Sequence, residues 1–337
     1  MRYRILLVTI ALLGLVSLAC DVNIKSSPAP FPTPVLTHPT ASLPICPDLP
    51  RPAMLFQLDS DGVEYVLHHP NSDSECTLQF NPSVSQILAL TASGVYYTTV
   101  VTSNNVTTGQ VLHYANDGTI TLLPYVNVTD WFYFLVTPDG SRVAWSRAEV
   151  TITSEGDEVF VNELYSANVD GSEMRMLYSQ SNVIEAEGMR IVQPLRFADD
   201  GNLLFAIQLI GKGGRWDAYT GRYSNLYRVP INGGDTILLY ECAVDNRGDC
   251  IGDISTDNAY FAVTDRNAGE VVIYSLEGSL IATYSGRGQE HIGHPNFSPN
   301  GDLVFMSADV KDDGSIEQGY ISYTRSPYEE TALPLFT

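Results

Sequence analysis

The chain has 337 residues, of which 44% are hydrophobic, and it carries a formal net charge of −21 at pH 7. This apolar content can bury a large core, so the composition excludes wholesale disorder. The excess of carboxylates repels phosphate groups, and we therefore expect neither nucleic acid nor anionic lipid headgroups as partners.

The first 19 residues have the parts of a signal peptide. Arg2 and Arg4 form the positive start, residues 5–18 are an almost unbroken apolar run, and the small Ala19 precedes Cys20. The apolar run is shorter than the roughly 20 residues that cross a bilayer. It therefore predicts export and cleavage rather than a membrane helix.

The segment Val16-Ser17-Leu18-Ala19-Cys20 resembles the lipobox of bacterial lipoproteins, in which the cysteine becomes the lipidated first residue. The lipobox usually has leucine where this chain has Ser17, so ordinary signal cleavage near the same point is the alternative. Residues 20–50 follow as a linker, because eight of the nineteen prolines lie there and such a segment favours extended conformers. We expect an extracytoplasmic cell-envelope protein that contacts the membrane through its lipid anchor only.

Four further cysteines agree with export. Cys242 and Cys250 bracket a short loop and form the natural local disulfide, which leaves Cys46 and Cys76 to join the end of the linker to the domain. Free thiols or metal ligation are the alternative, although the chain has no C-x-x-C spacing.

A strand–turn–strand motif recurs within residues 51–337. Proline presets the turn and glycine, or asparagine in its place, supplies the left-handed position that other side chains resist. The copies are Thr137-Pro138-Asp139-Gly140, Ala198-Asp199-Asp200-Gly201, Ser255-Thr256-Asp257-Asn258 and Ser298-Pro299-Asn300-Gly301, with a weaker one at Asn81-Pro82-Ser83-Val84.

A second hairpin signal follows four of these five motifs, all except Ser298-Pro299-Asn300-Gly301. The turns are Asp117-Gly118, Asp170-Gly171, Asn232-Gly233 and Glu277-Gly278, each between alternating apolar residues. Four antiparallel strands per unit and about 23 strands in total predict an all-β fold, a β-propeller of about six blades, with five or seven as alternatives. We expect the N-terminal hairpin to close the ring with the last strands, 320–323 and 332–336.

The Ser-Pro-Asn-Gly and Thr-Pro-Asp-Gly turns, each followed by a hairpin such as Leu164 to Leu177, resemble the repeats of TolB-like β-propellers. The resemblance covers most of residues 51–337, and it implies a fold rather than an activity. Relatives of that kind include periplasmic scaffold proteins, the propeller domains of prolyl oligopeptidase-like enzymes and some polysaccharide lyases.

Catalytic motifs are weak. There is no Gly-x-Ser-x-Gly elbow, so we do not expect a serine hydrolase. His291 and His294 lie three residues apart before a predicted inner strand and could ligate zinc or manganese with Glu290. If they bind a metal, the alternative function is that of a metal-dependent polysaccharide lyase or hydrolase. If they do not, His291 is an ordinary loop residue and His294 an ordinary strand residue.

One glycine-rich excursion stands out against the acidic background. It combines cations and aromatic rings, which are typical of binding hot spots and of sugar stacking. The candidate residues are Lys212, Arg215, Trp216, Tyr219, Arg222 and Tyr223. We therefore predict a monomeric, non-catalytic scaffold without cofactors that binds an envelope protein or carbohydrate, while the acidic insertion 149–158 is a solvated loop.

Overall fold

The computed structural model describes residues 54–57, 63–68, 75–81, 83–91, 93–103, 106–129, 131–152, 154, 156, 158–183, 189–210, 221–242, 250–265, 267–285, 291–298, 300–310, 316–325, 328 and 333–336. The predicted signal peptide, Cys20 and the linker lie outside these residues. All described strands belong to one compact unit, Ser42–Thr337. No helix in this described part is long and apolar enough to cross a membrane.

The described strands form six antiparallel sheets, each a simple meander. The first sheet has three strands, β1 (Met54–Gln57), β2 (Glu64–His68) and β3 (Glu75–Gln79). The second contains β4 (Gln86–Thr91), β5 (Gly94–Ser103), β6 (Val106–Ala115) and β7 (Ile120–Leu122). The third contains β8 (Trp131–Val136), β9 (Arg142–Ile152), β10 (Glu158–Asn168) and β11 (Arg175–Val183).

The remaining three sheets also have four strands each. The fourth contains β12 (Met189–Phe197), β13 (Asn202–Ile210), β14 (Asn225–Pro230) and β15 (Ile237–Glu241). The fifth contains β16 (Ile251–Ile254), β17 (Tyr260–Asp265), β18 (Glu270–Ser275) and β19 (Leu280–Ser285). The sixth contains β20 (His291–Phe297), β21 (Leu303–Val310), β22 (Ile316–Thr324) and β23 (Leu333–Phe336).

The repeated turn motifs connect the first strand of a sheet to its second. The Gly140 amide donates to Thr137 O at 2.8 Å, and Gly140 has φ +73°. Asn258 takes the corresponding place in the fifth sheet with φ +56° and donates to Ser255 O at 3.0 Å. The asparagine thus adopts the left-handed conformation that the sequence predicted for it.

The core consists of layers between successive sheets. Alternating side chains of the second and third strands point to opposite faces, so each of the second to fifth sheets buries one face against its predecessor and the other against its successor. For example, Phe205 and Leu203 pack against the third sheet, whereas Leu204 and Ala206 pack against the fifth. Clusters of this kind join the first sheet to the second and continue, pair by pair, to the sixth.

The position of each strand defines a β-propeller. First strands of neighbouring sheets contact one another, as β4 and β8, β8 and β12, and β16 and β20 do. Fourth strands such as β15 and β19 are largely exposed. The first strands are therefore innermost and the fourth outermost, and each sheet is one blade. The prediction of four-stranded blades, about six in number, is confirmed.

Two details of the predicted repeat are wrong. Asn81 and its neighbours connect the first blade to the second, and Thr91 to Gly94 supplies the turn within the second blade. The last strands complete their own four-stranded sheet, and within the described residues the strands of the first sheet pair only with one another. No strand pairing of the N-terminal hairpin with β22 or β23 is therefore observed.

Candidate functional site

The meander sorts the connections onto two rims of the propeller. Turns between first and second and between third and fourth strands form the tight-turn rim; they are the segments 92–93, 116–119, 137–141, 169–174, 198–201, 231–236, 255–259, 276–279 and 298–302. The connections from second to third strands and from one blade to the next begin and end at the opposite rim, the long-connection rim; among them are 123–130, 184–188, 211–224, 242–250 and 286–290. Binding residues are disproportionately found on such loops.

Two of the sequence-predicted site residues, Arg222 and His291, lie at the long-connection rim. Arg222 is exposed there, and the backbone of His291 begins β20 at the same rim. Lys212, Arg215, Trp216 and Tyr219 belong by sequence to the connection between β13 and β14 and lie outside the described residues. The meander thus places Arg222 and the backbone of His291 at the same end of the strands, whereas His294 lies in the middle of β20.

The C-terminal end of the basic aromatic loop is held by backbone contacts with the next blade. The amides of Arg222 and Tyr223 both donate to Ile251 O, at 2.6 and 3.0 Å. A Cβ on Gly221 would lie 2.3 Å from the carbonyl carbon of Cys250. Only glycine permits this approach of two backbones.

The Cys242–Cys250 disulfide lies beside the C-terminal end of the basic aromatic loop. It joins the end of β15 to the start of β16 and confirms the predicted local pair. The Cys242 amide donates to Ser224 O at 2.9 Å and the Cys250 amide donates to Tyr223 O at 3.1 Å. Cys76 is also disulfide-bonded, and because its partner lies outside the described residues, its pairing with Cys46 remains a prediction.

The Tyr223 side chain is buried and is not exposed to a ligand. Its ring is buried between the fourth and fifth blades, beside Leu226 and Ile251. Burial raises the pKa of Tyr223 to about 12, with nearby Arg222 opposing the shift and Asp253 adding to it. Tyr223 therefore supports the loop from the core, and Arg222 is the described residue of the predicted set that is open to a ligand.

Tyr133 of the third blade and Asp253 of the fifth blade lie near Tyr223, and each makes a hydrogen bond to another blade. The Tyr133 hydroxyl on β8 donates to Gln208 Oε1 at 2.9 Å, which connects the third blade to the fourth. Asp253 Oδ2 accepts the Phe297 amide at 2.9 Å, which connects the fifth blade to the sixth. The Tyr133–Gln208 bond lies toward the long-connection rim, and the Asp253–Phe297 bond lies at the opposite end of the inner strands.

His294 has an unusual backbone. Its φ is +52°, and it lies in a β-bulge of β20 between Gly293 and Asn296. The side-chain amide of Asn296 donates to His294 O at 2.8 Å. The side chain of His291 is outside the described residues, and within them no group of three His, Cys, Asp or Glu side chains could hold a metal ion.

A serine–histidine contact lies on the tight-turn rim, and the sequence did not indicate it. Ser93 Oγ is 3.4 Å from His113 Nε2 and 2.9 Å from Thr91 Oγ1. A Cβ on Gly140 would lie 2.4 Å from Ser93 Oγ. The serine oxygen is thus enclosed by the next blade's turn, so this contact serves packing rather than nucleophilic attack.

A half-buried ion pair was also missed by sequence reasoning. Arg147 Nε donates to Glu163 Oε2 at 2.6 Å, and the Tyr165 hydroxyl donates to the same oxygen at 2.9 Å. Arg147 and Glu163 are cross-strand neighbours on β9 and β10. These two residues are sixteen positions apart in the sequence, and their pairing depends on the hairpin register, which no local sequence motif indicates.

Comparison with known proteins adds little beyond the fold. No protein-family model and no curated protein matches the chain. Similar solved structures include prolyl oligopeptidase B from Galerina marginata (TM-score 0.47, 12% identity, 84% of this chain and 41% of that one) and virginiamycin B lyase from Staphylococcus aureus (0.36, 10%, 81% and 95%). Regucalcin from Agrobacterium tumefaciens is another (0.32, 13%, 75% and 78%). Similarities this distant carry no argument about function.

The class of protein follows from the chain's own geometry. It is a β-propeller protein whose core is layered between four-stranded blades. The Cys242–Cys250 disulfide is typical of proteins from oxidising, extracytoplasmic compartments.

Proposed function

We propose that the protein is a non-catalytic lipoprotein of the cell envelope whose TolB-like propeller binds a protein or a glycan. In this proposal Cys20 carries the lipid and residues 20–50 hold the propeller away from the membrane. The ligand contacts the long-connection rim at the loop that ends in Arg222.

One observation carries the proposal. The described end of this loop, residues 221–224, is fixed by six backbone hydrogen bonds and lies beside a disulfide, at a position where Gly221 leaves no space for a side chain. A loop that starts and ends on a rigid support loses less entropy when it binds a ligand. The anchoring therefore supports a binding role for the residues that the loop carries.

Site-specific photo-crosslinking tests the binding role. A photoreactive amino acid is placed at Arg222 in the full chain, and at the exposed Glu277 on the tight-turn rim as the matched control. In intact cells that make the protein, we expect discrete crosslinked adducts at position 222 and no adducts at position 277. Mass spectrometry then identifies the crosslinked molecule as protein or glycan. Equal labelling at the two positions, or none at Arg222, would contradict the proposal.

A separate experiment tests the anchor. Metabolic labelling with an alkyne fatty acid should mark the full chain, and Cys20→Ser should abolish the label and move the protein from the membrane fraction to the soluble fraction. Fatty-acid label on the Cys20→Ser protein would show that the lipid is attached to another residue.

The second candidate function is a metal-dependent polysaccharide lyase or hydrolase. The observation that favours it is the left-handed backbone of His294, because strained backbone is concentrated at functional sites. Zinc, manganese or calcium that binds the folded state must raise the melting temperature of the metal-stripped protein. A rise that His294→Ala removes would favour the enzyme, and no rise with any of the three metals would eliminate this candidate.

A further inference from the structure

The third blade extends beyond its inner strand. β8 ends its pairing with β9 at Trp131 opposite Ala148, but β9 continues to Ile152. The pairing of β9 with β10 continues to Ile152 opposite Glu158, and β11 accompanies β10 as far as Val183 opposite Val159. We name the three-stranded extension the wing; it consists of Glu149–Ile152, Glu158–Val161 and Ser181–Val183. The insertion 149–158, predicted as a solvated loop, therefore begins and ends as strand.

One side of the wing presents an open strand edge. Within the described residues, no strand pairs with the side of Glu149–Ile152 that faces away from β10. The chain before β8 turns aside, since Val128 pairs with Gly109 on β6. All four residues of this edge are exposed. An open edge exposes backbone N–H and C=O groups that another extended chain can satisfy.

The side chains of the edge have two different faces. Val150 and Ile152 point to one face and are 44% and 73% exposed. Glu149 and Thr151 point to the other face, because successive side chains of a strand alternate. Natural open edges are usually protected by charged side chains, lysine above all, or by proline, and the one charged residue of this edge is Glu149. A complementary strand would therefore need aliphatic side chains on one face and polar ones on the other.

Charge decides which polar side chains fit. Residues 149–158 contain four carboxylates and no lysine or arginine. The nearest described cation, Arg147, is held by Glu163 at 2.6 Å and reaches Glu149 only at 3.8 Å. The edge therefore attracts cations, whereas the net charge of −21 opposes association with a second copy of the chain.

From this edge we infer that the wing binds an extended polypeptide segment in which basic and aliphatic residues alternate. The segment adds as a strand to Glu149–Ile152, with its aliphatic side chains beside Val150 and Ile152 and its cations beside Glu149. Backbone hydrogen bonds provide the affinity and the alternation provides the specificity. The inference rests on the proposed role as a binding scaffold and assigns a second surface to it.

A short peptide tests the inference on the full chain. The probe is a capped heptapeptide that alternates lysine and valine, and the matched control has the same residues with the lysines and valines in separate blocks. Hydrogen exchange should show saturable protection confined to Glu149–Ile152, with binding at least about tenfold tighter for the alternating peptide. Protection spread over other acidic surfaces, or none with the alternating peptide, would overturn the inference.

Two surface variants make the test specific. Ile152→Lys should weaken binding at least about tenfold, since it adds a like charge and removes an aliphatic contact. Leu280→Lys changes a residue of similar exposure, 61%, on the outer strand β19 and should leave binding unchanged. Equal losses of binding in both variants would overturn the inference. Self-association through the edge would also overturn it; this would be seen as protection of Glu149–Ile152 that appears without peptide as the protein concentration rises and that Ile152→Lys removes.

The two proposals fail separately. Crosslinks at Arg222 without protection of the wing would overturn the wing inference and leave the loop that ends in Arg222 as the binding surface. Protection of Glu149–Ile152 without crosslinks at Arg222 would overturn the site proposed for the loop and leave the wing in place.

Discussion

Asn162 shows how a single side chain joins two blades. It is buried on β10, its Nδ2 donates to Arg190 O at 2.7 Å, and its Oδ1 accepts the Val192 amide at 3.3 Å. Asn162→Ala leaves both backbone groups of β12 without this partner, so we expect a loss of about 2–3 kcal/mol in the free energy of unfolding. Urea denaturation measures it, with the exposed Asn127→Ala as control. A loss within about 0.5 kcal/mol, as for ordinary surface changes, would contradict this role.

His113 should make the stability depend on pH. Burial lowers its pKa from the ordinary value of 6.5, against smaller opposing effects of Ser93 and Asp117, and its ring stacks on Tyr96 at 4.3 Å. The unfolded chain then binds the proton more readily than the folded chain. The contribution of the buried, neutral His113 to the free energy of unfolding is complete above pH 6.5. It declines as the pH falls from there toward the lower folded-state pKa. Denaturation midpoints across this range should fall less steeply for His113→Gln, and identical slopes would refute the assignment.

At the scale of elements, the connection between β13 and β14 depends on Gly221. A methyl group there would meet Cys250 C at 2.3 Å and Ile251 N at 2.5 Å, and these backbone atoms belong to another blade. Gly221→Ala should therefore separate the end of the connection from β16, at a cost of about 1–3 kcal/mol. Trypsin cleavage after Arg222 should accelerate. The control is Gly201→Ala, which strains a left-handed turn but has open space around it; acceleration in both variants would contradict the explanation.

The strands and tight turns could be predicted because their signals are local. Asp-Gly and Asn-Gly pairs mark the hairpins β6–β7, β10–β11 and β14–β15, and each is found where the sequence predicts it. The turn of the second blade was missed because Gly94 stands two residues beyond Ala92, without the proline or aspartate of the other copies. The extent of the wing was also missed, since it depends on where β8 stops pairing rather than on the residues of β9.

At the scale of the whole molecule, each blade contacts its neighbours, so covalent links between blades should have a large effect. The Cys242–Cys250 disulfide joins the fourth blade to the fifth across a sequence separation of 8 residues. Closing a loop of this size restricts the unfolded chain by about 2–3 kcal/mol. The double variant Cys242→Ser, Cys250→Ser should unfold at correspondingly lower urea concentration. An unchanged midpoint would show that the link adds nothing to stability.

The candidate site could be predicted only in part. The composition of residues 211–223 singled out Arg222, but the same pattern included Tyr223, whose ring lies in the core. The distinction depends on contacts with Ile251, 28 residues away, and long-range contacts of this kind leave no periodic signal in the sequence. The same holds for Asn162 and for the ion pair of Arg147 with Glu163.

The open space on the tight-turn rim has a practical consequence. Among the described residues, no atom beyond the chain neighbours lies within 4 Å of a carbon added at Gly278 or Gly301, in contrast to Gly221 on the opposite rim. An antibody epitope inserted at Gly278 would therefore project outward without disturbing the blades. Antibody labelling of intact and permeabilised cells would then report on which side of the cell membrane the propeller lies, with Arg222 and the wing unmodified.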